Sequence, residues 1–360
     1  MPAPLGRDLE QLRSRLESWF ASVLPDDASG IEVGEVGGPG GTGFSSDTLI
    51  FDLRYRSGGE DHTRGLVARI KPSGFQLFPE YDLPSQYGIM HALRNTEIPV
   101  PTMLWEERTG DAIGDPFYVM EKIDGLCPAD NPAYTAEGWL KEMSPEDQST
   151  LWNGYIDILV KVHALDPVEL KLDFLAKPDL GESPLDQELA YYENFYRWAY
   201  PEGGHPHVGP SLVWLRDNRP PEPEKPTLVW GDARIGNMIF QGPRCAAVID
   251  WEMARLGDPM MDLAWGLFLS RYHTEGSGHP QLPGFLNREE TIERYVELSG
   301  TSAEHVAYYE ILAGMRFTVI LIRLGRQMKH YEVMPQEANF EIDNPVSNLH
   351  RKQLEAIGVL

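Results

Sequence analysis

The feature that most limits how this chain can fold is a change of hydrophobic period near Gly125. Before it, residues 47–55 and 65–70 alternate and branch like strands, separated by the turn-forming Ser57-Gly58-Gly59-Glu60-Asp61. Shorter strand-like runs follow at 103–105 and 117–120, with a helical piece at 85–93 ahead of them. After Gly125, Leu151, Tyr155, Leu159 and Val162 recur at helical spacing within 145–165. A second long helix is expected over 184–199, and helices dominate from Met261 onward. One amphipathic helix precedes the strands: Leu9, Leu12, Leu16, Phe20 and Leu24 share a face within residues 6–24, and Pro25 stops it. The helical half also carries three short strands, at 227–230, 237–240 and 245–250. They follow a proline-rich loop, 219–226, that no helix can cross. The turn Gln241-Gly242-Pro243-Arg244 joins the last two. The order predicts an α+β chain with a small β-rich lobe, a hinge, and a large helical lobe holding a compact β-insert.

The chain has 360 residues, of which 42% are apolar, enough for a real core in two lobes. Its net charge of −24 argues against nucleic acid or an anionic membrane as the main partner. The same acidity suits a cationic small molecule, or serves solubility alone. Cys127 and Cys245 have no zinc or disulfide spacing. With no basic start leading into an apolar stretch and no run long enough to span a bilayer, a cytoplasmic protein is expected.

Three groups of residues can carry chemistry. The first is the glycine loop 37–43, in which Gly38, Gly40 and Gly43 satisfy G-x-G-x-x-G. A dinucleotide fold would require a helix directly after it, whereas Ser45 and Ser46 lead into strand-like residues. A glycine loop between strands fits a lid over nucleotide phosphates, or a plain turn. The second is Arg69, a cation on the third strand of the small lobe. The third is the set Asp232, Asn237 and Asp250, within Gly231-Asp232-x4-Asn237 and Ile249-Asp250-Trp251-Glu252. Phosphoryl transfer needs a carboxylate to orient and deprotonate the acceptor hydroxyl, and oxygen ligands for magnesium. Asp232 can face the acceptor while Asn237 and Asp250 face the metal. The alternative is that both acids merely cap strand ends. His205-Pro206-His207 is read as a surface loop, since no third metal ligand is placed by spacing. The aromatic run 191–198 either lines an acceptor pocket or packs a helix core.

The segments 230–240, 248–259 and 262–265 together resemble the phosphotransferase family that includes aminoglycoside kinases. They are especially similar to its branch of acyl-CoA-dehydrogenase-linked kinase domains, which reads HGD-x-R-x-GN and DWE-x-A-x-x-GDP-x-x-DLA. The resemblance implies a bilobal protein-kinase-like fold, with an antiparallel N-terminal lobe at 1–120 and a mainly helical lobe at 121–360. It implies ATP (or GTP) and magnesium as cofactors, Asp232 as catalytic base, and Asn237 and Asp250 as metal ligands. Gly43, Ser45, Ser46 and Arg69 would contact phosphates, and Met120, Glu121 and Ile123 of the hinge would meet the base. Asp262 would buttress the catalytic loop. The expected acceptor is an aminoglycoside-like or other small molecule, with Glu182, Asp186, Glu188 and Glu193 in the region that faces it. Two letters depart from the pattern. Trp230 stands where the family has His, and the partner for Arg69 is Gln86 rather than an acid, with Glu80 as the other candidate. These departures keep open a second reading, a nucleotide-binding module without catalysis.

Overall fold

The computed structural model describes residues 8–38 and 47–360. Helix α1 (Leu9–Val23) begins where the Asp8 carboxylate accepts the amides of Glu10 and Gln11, and it ends just before Pro25. Strands β1 (Ser29–Val33), β2 (Asp47–Ser57) and β3 (Glu60–Ile70) follow. Then come α2 (Leu83–Leu93), β4 (Met103–Glu107) and β5 (Phe117–Glu121). Among the described residues these strands form one antiparallel sheet of order β1-β2-β3-β5-β4. The β2–β3 turn is tighter than expected. Only Gly58 and Gly59 lie between the strands, both at positive φ, so pairing continues to Ser57 and Glu60.

Alternation gives each face of the sheet its own task. Leu49, Phe51, Leu53, Leu66, Ala68, Ile70 and Val119 pack beneath Leu12, Leu16 and Phe20 of α1. Val67, Tyr118 and Met120 point the other way and join the main core with Ile89, Met90 and Leu93 of α2. Arg69 lies between Ala68 and Ile70, so it shares the cleft-facing side with Val67.

The glycine loop joins two antiparallel strands: Gly37 exchanges both backbone hydrogen bonds with Ile50, and the chain is already in β2 at Asp47. Among the described residues the loop is followed by strand β2 and not by a helix, which goes against the dinucleotide-fold reading. Gly43, Ser45 and Ser46 lie outside the described residues.

Past residue 121, Gly125 passes so close to Ile239 and Phe240 that an added Cβ would stand 2.6 Å from the Phe240 carbonyl oxygen. Leu126 and Phe240 bond to each other there. The helical part comprises α3 (Trp139–Glu142), α4 (Pro145–His163), α5 (Pro184–Ala199) and α6 (Val208–Asp217). It continues, after the insert, with α7 (Met260–Arg271), α8 (Arg288–Ser299), α9 (Val306–His330) and α10 (Pro345–Ala356). The insert contains β6 (Thr227–Val229), β7 (Met238–Gln241), β8 (Arg244–Val248) and β9 (Arg255–Gly257). Pairing is β6 with β9 and β7 with β8, both antiparallel. The strands expected at 237–240 and 245–250 are therefore displaced. Asn237 belongs to a 3₁₀ turn, and β8 stops at Val248 because Asp250 adopts a left-handed φ of 61°.

A second link runs between sheet and helices. The segment from β3 to α2 crosses to α9, where the Phe75 amide donates to the Tyr331 hydroxyl and Arg323 donates to the Gln76 carbonyl at 2.7 Å. The Arg323 guanidinium is sandwiched between the rings of Phe75 and Trp198, 3.9 Å from each centroid. Among the described residues no helix is long and apolar enough to cross a membrane.

Candidate active site

The loop between β6 and β7 is held from below by one buried carboxylate. Asp262, on the first turn of α7, accepts the amides of Trp230 (2.6 Å) and Gly231 (2.8 Å). His163 at the end of α4 lies 3.1 Å from the same carboxylate through Nε2, and its Nδ1 is 2.7 Å from the Tyr295 hydroxyl. Gly231 has φ 92°, and a side chain there would collide with the Met253 carbonyl, so only glycine allows this approach.

Trp230 takes over the supporting task in its own way. It is fully buried, and its indole N–H donates to the Ile249 carbonyl at 3.0 Å. The Trp251 indole N–H reaches the preceding Val248 carbonyl at 3.3 Å. Two indoles, 5.7 Å apart, thus grip the consecutive carbonyls that lead into Asp250.

The sequence-selected residues come together around this loop. Asp232 Oδ2 accepts from Asn237 Nδ2 (2.6 Å) and Arg234 Nε (3.1 Å), and Oδ1 accepts from the Trp265 indole (2.7 Å). An ionised carboxylate offers about four lone-pair sites, so one direction on Oδ1 remains. Because a carboxylate only accepts, the Asn237 amide must turn its NH₂ toward Asp232, which leaves its carbonyl oxygen facing away. The Ile249 amide donates to the Asn237 backbone carbonyl at 3.0 Å, bringing the segment that carries Asp250 beside Asn237.

Arg69 reaches across from the sheet. Its Nη2 is 3.3 Å from Asp250 Oδ1 and 3.9 Å from Glu252 Oε2, and its Nη1 donates to Thr48 at 3.2 Å. Burial alone would lower its pKa, but the charges of Asp250 and Glu252 and the Tyr118 hydroxyl more than offset this and raise it. Neither Gln86 nor Glu80 is its ion partner. Buried Gln86 instead accepts from the Tyr118 hydroxyl at 3.2 Å.

At the hinge, the Glu121 and Lys122 amides are used by the carbonyls of Thr102 and Gly65, and the Glu121 side chain by Arg64 at 2.7 Å. Met120 is paired within the sheet. Of the residues expected to meet the base, Ile123 is the one whose backbone has no hydrogen-bond partner among the described residues.

Other sequence expectations are corrected. Glu188 is buried and ion-paired with Arg255 (2.5 Å) and Arg316 (3.2 Å). Glu193 is held by Arg197 and Arg216, and Asp186 by Arg219. Of the four acids expected to face an acceptor, Glu188 is thus buried in the fold, while Asp186 and Glu193 stay partly exposed in surface ion pairs. His205 and His207 are buried rather than on a surface loop. His205 Nδ1 accepts the amides of His207 and Val208 and so caps the start of α6.

Sequence reasoning also missed the partners of Arg234. Its Nη1 donates to both oxygens of Asp130, at 2.6 and 2.8 Å, and Asp130 lies 3.3 Å from His273. Burial would raise the Asp130 pKa, but Arg234 and His273 together bring it down to about 2. A signal existed, since Arg234 lies inside the quoted motif, but Asp130 is far from it in sequence.

Magnesium fits the donor set at Asn237 and Asp250. The Asn237 amide oxygen is directed away from Asp232, the Asn237 backbone is bonded to the segment that carries Asp250, and amide and carboxylate oxygens are the donors magnesium takes. Among the described residues there is no cluster of three or more His, Cys, Asp or Glu that could hold a metal ion.

A five-stranded antiparallel sheet hinged to a helical part, with the Asp-Asn-Asp loop where they meet, defines the protein-kinase-like class of phosphotransferase folds. The chain belongs to the phosphotransferase enzyme family, whose model matches residues 46–298. It is 31% identical over 243 residues to mouse acyl-CoA dehydrogenase family member 10, covering 65% of this chain and 21% of that protein. It is 27% identical over 305 residues to human acyl-CoA dehydrogenase family member 11, covering 80% of this chain and 38% of that protein. The chain thus spans between about a fifth and two fifths of these relatives. Among solved structures, a candidate aminoglycoside phosphotransferase of Ralstonia eutropha superposes with a TM-score of 0.66 at 21% identity, covering 95% of both chains. A choline kinase of Streptococcus pneumoniae gives 0.55 at 15% identity, covering 95% of this chain and 98% of that one. A thermostable variant of the aminoglycoside phosphotransferase APH(4)-Ia, solved with AMP-PNP and hygromycin B, gives 0.56 at 15%, covering 95% and 97%.

Proposed function

We propose that this protein transfers the γ-phosphate of ATP, or GTP, to a hydroxyl group of a small molecule, with residues 1–120 holding the nucleotide and 121–360 the acceptor. The observation that carries this reading is the meeting of four groups from two distant segments. Asp232, Asn237 and Asp250 share one loop system, and Arg69 reaches it from the sheet. Strand-end capping does not require a cation from another element to close on Asp250.

In this reading the remaining lone pair of Asp232 Oδ1 accepts the acceptor's hydroxyl proton and aims its oxygen at the phosphorus. Positioning of this kind is the larger part of catalysis in phosphoryl transfer, where the transition state is loose. Asn237 Oδ1 and Asp250 would hold magnesium, which would supply positive charge against the phosphoryl oxygens. Arg69 turns from Asp250 toward the nucleotide phosphates, with Gly43, Ser45 and Ser46 covering them. Ile123 offers its free amide and carbonyl to the base, beside Met120 and Glu121. Trp230 favours catalysis over the non-catalytic reading, because its indole supports the segment before Asp250. The engagement of Asp186, Glu188 and Glu193 removes most of the local case for a cationic acceptor, so the acceptor class is left to experiment.

An ATP-consumption screen with magnesium against aminoglycosides, amino alcohols and hydroxyacyl-CoA esters tests the proposal. Turnover with one class is expected, together with its loss in Asp232→Asn while nucleotide still binds. Full turnover in that variant would remove Asp232 from the role of base.

A further inference from the structure

The mechanism above makes no use of a buried charge pair behind the catalytic loop. Arg316 of α9 and Glu188 of α5 are each 1% exposed, and the partly buried Arg255 of β9 lies against Glu188. Burying such a pair is expensive, because desolvation of charges in a core commonly equals or exceeds their mutual attraction, and apolar side chains of the same volume would often be at least as stable. The contacts made by Arg316 suggest what the pair is for.

Arg316 touches both ends of the Gly231-Asp232 unit. Its Nη2 donates to the Gly231 carbonyl at 3.0 Å. Its guanidinium carbon lies 4.7 Å from the centre of the Trp265 ring, and the same ring donates its indole N–H to Asp232 Oδ1 at 2.7 Å. A cation over an indole face draws electron density from the ring and makes the N–H a stronger donor. Arg316 therefore fixes the backbone before Asp232 and strengthens the bond that orients its carboxylate. Tyr192 stacks near the guanidinium at 5.2 Å, while Glu188 Oε1 lies 3.2 Å from Nε as an ion pair without hydrogen-bond geometry. Glu188 is in turn tied to β9 through Arg255, whose guanidinium lies over Tyr191 at 4.1 Å.

We propose that Arg316, ion-paired with Glu188, is a positioning residue that locks the carboxylate of Asp232 from behind through Trp265 and the Gly231 carbonyl. This rests on the reading of Asp232 as the group that faces the acceptor, and it makes the aromatic run of α5 a back wall of the catalytic loop. It explains why a buried charge pair sits here: a planar, five-donor cation can hold a carbonyl, a carboxylate and a ring face at once, and neither lysine nor an apolar side chain can.

The test uses the full chain labelled with ¹⁵N at tryptophan indoles, so that it does not depend on turnover. Trp265→Phe assigns the Trp265 N–H. The Trp152 N–H, bonded to Thr291 at 3.1 Å in another part of the helical core, is the internal control. In Arg316→Met the Trp265 N–H is expected to exchange with solvent about tenfold faster while Trp152 is unchanged. With whichever acceptor supports turnover, kcat falls about a hundredfold at unchanged KM for ATP, and Glu188→Gln gives a smaller loss of the same kind. Should Arg316→Met not fold, Arg316→Lys carries the test, since it keeps the charge but loses the fork. Unchanged Trp265 exchange and turnover within twofold in the folded variant would overturn the proposal. A Trp265 response in a protein that transfers no phosphate would uphold the positioning role and refute the phosphotransferase reading instead.

Discussion

Trp230→Phe separates the indole N–H from the bulk of the ring. In the native loop that N–H is the partner of the Ile249 carbonyl at 3.0 Å, and Trp230 is fully buried. Phenylalanine leaves the carbonyl without this donor, at about 1–3 kcal/mol. The smaller ring leaves a void beside Trp251, worth about 1 kcal/mol more if the site relaxes partly. The expected loss is about 3 kcal/mol. At roughly 2.1 cal/mol/K per residue, 360 residues give an unfolding entropy of about 0.8 kcal/mol/K, so the melting temperature should fall by about 4 °C. Differential scanning calorimetry with and without Mg²⁺-AMP-PNP reads both effects. The shift on adding nucleotide should also shrink, because Asp250 follows the freed carbonyl by one residue. Trp230→His should destabilise at least as much, since the shorter imidazole leaves a larger void. A Trp230→Phe protein melting within 1 °C of the parent, with an undiminished nucleotide shift, would refute the claim that the indole holds the segment before Asp250.

Other predictions follow from single contacts. Burial depresses His205 to a pKa of about 4 and His350 to about 3, and the unfolded state therefore binds more protons below about pH 6.5. Their contribution is intact above that pH and is lost as the pH falls, by about 2 kcal/mol each between pH 7 and 5. Denaturant titrations at the two pH values should show this, and His350→Gln should remove about half; an unaltered pH dependence would exclude His350 as its source. Gly231→Ala should abolish turnover and cost at least about 3 kcal/mol, given the collision with the Met253 carbonyl and the positive φ; a folded, active variant would contradict that geometry. Arg69→Met should raise KM for ATP by about tenfold or more while Arg69→Lys restores most of it, measured by initial rates; equal KM values would remove Arg69 from the nucleotide site.

Sequence alone carried the fold a long way, because period and punctuation agree over long stretches. Alternation in β2 and β3 and the helical spacing of Leu151, Tyr155, Leu159 and Val162 each leave a pattern several turns or residues long. What escaped is short, polar or distant. The start of β3, Glu60-Asp61-His62, reads as a turn because the hairpin runs beyond the apolar core onto an exposed rim. Strand β9 has three residues, too few for any period, and is visible only through its pairing with β6. Glu188 reads as one of four acids in the region that faces an acceptor, since its arginine partners are contributed by β9 and α9. His205 reads as loop because a histidine cap shows itself only once its amide partners are placed. At the site, Asp232, Asn237 and Asp250 share one short stretch and could be read together, whereas Asp130 joins Arg234 by a fold-level contact that no local spacing announces.

The segment between β3 and α2 has a mechanical consequence. Two bodies joined by one flexible connection can open in any direction, like pages on a single ring. The sheet here is tied to the helices at several places: along Glu121–Gly125; where Arg323, held between Phe75 and Trp198, donates to the Gln76 carbonyl; and where the Val248 amide donates to the Pro99 carbonyl. Ties spread along the cleft oppose a free swing of the sheet, so Arg69, on the strand just before one of them, is kept facing Asp250.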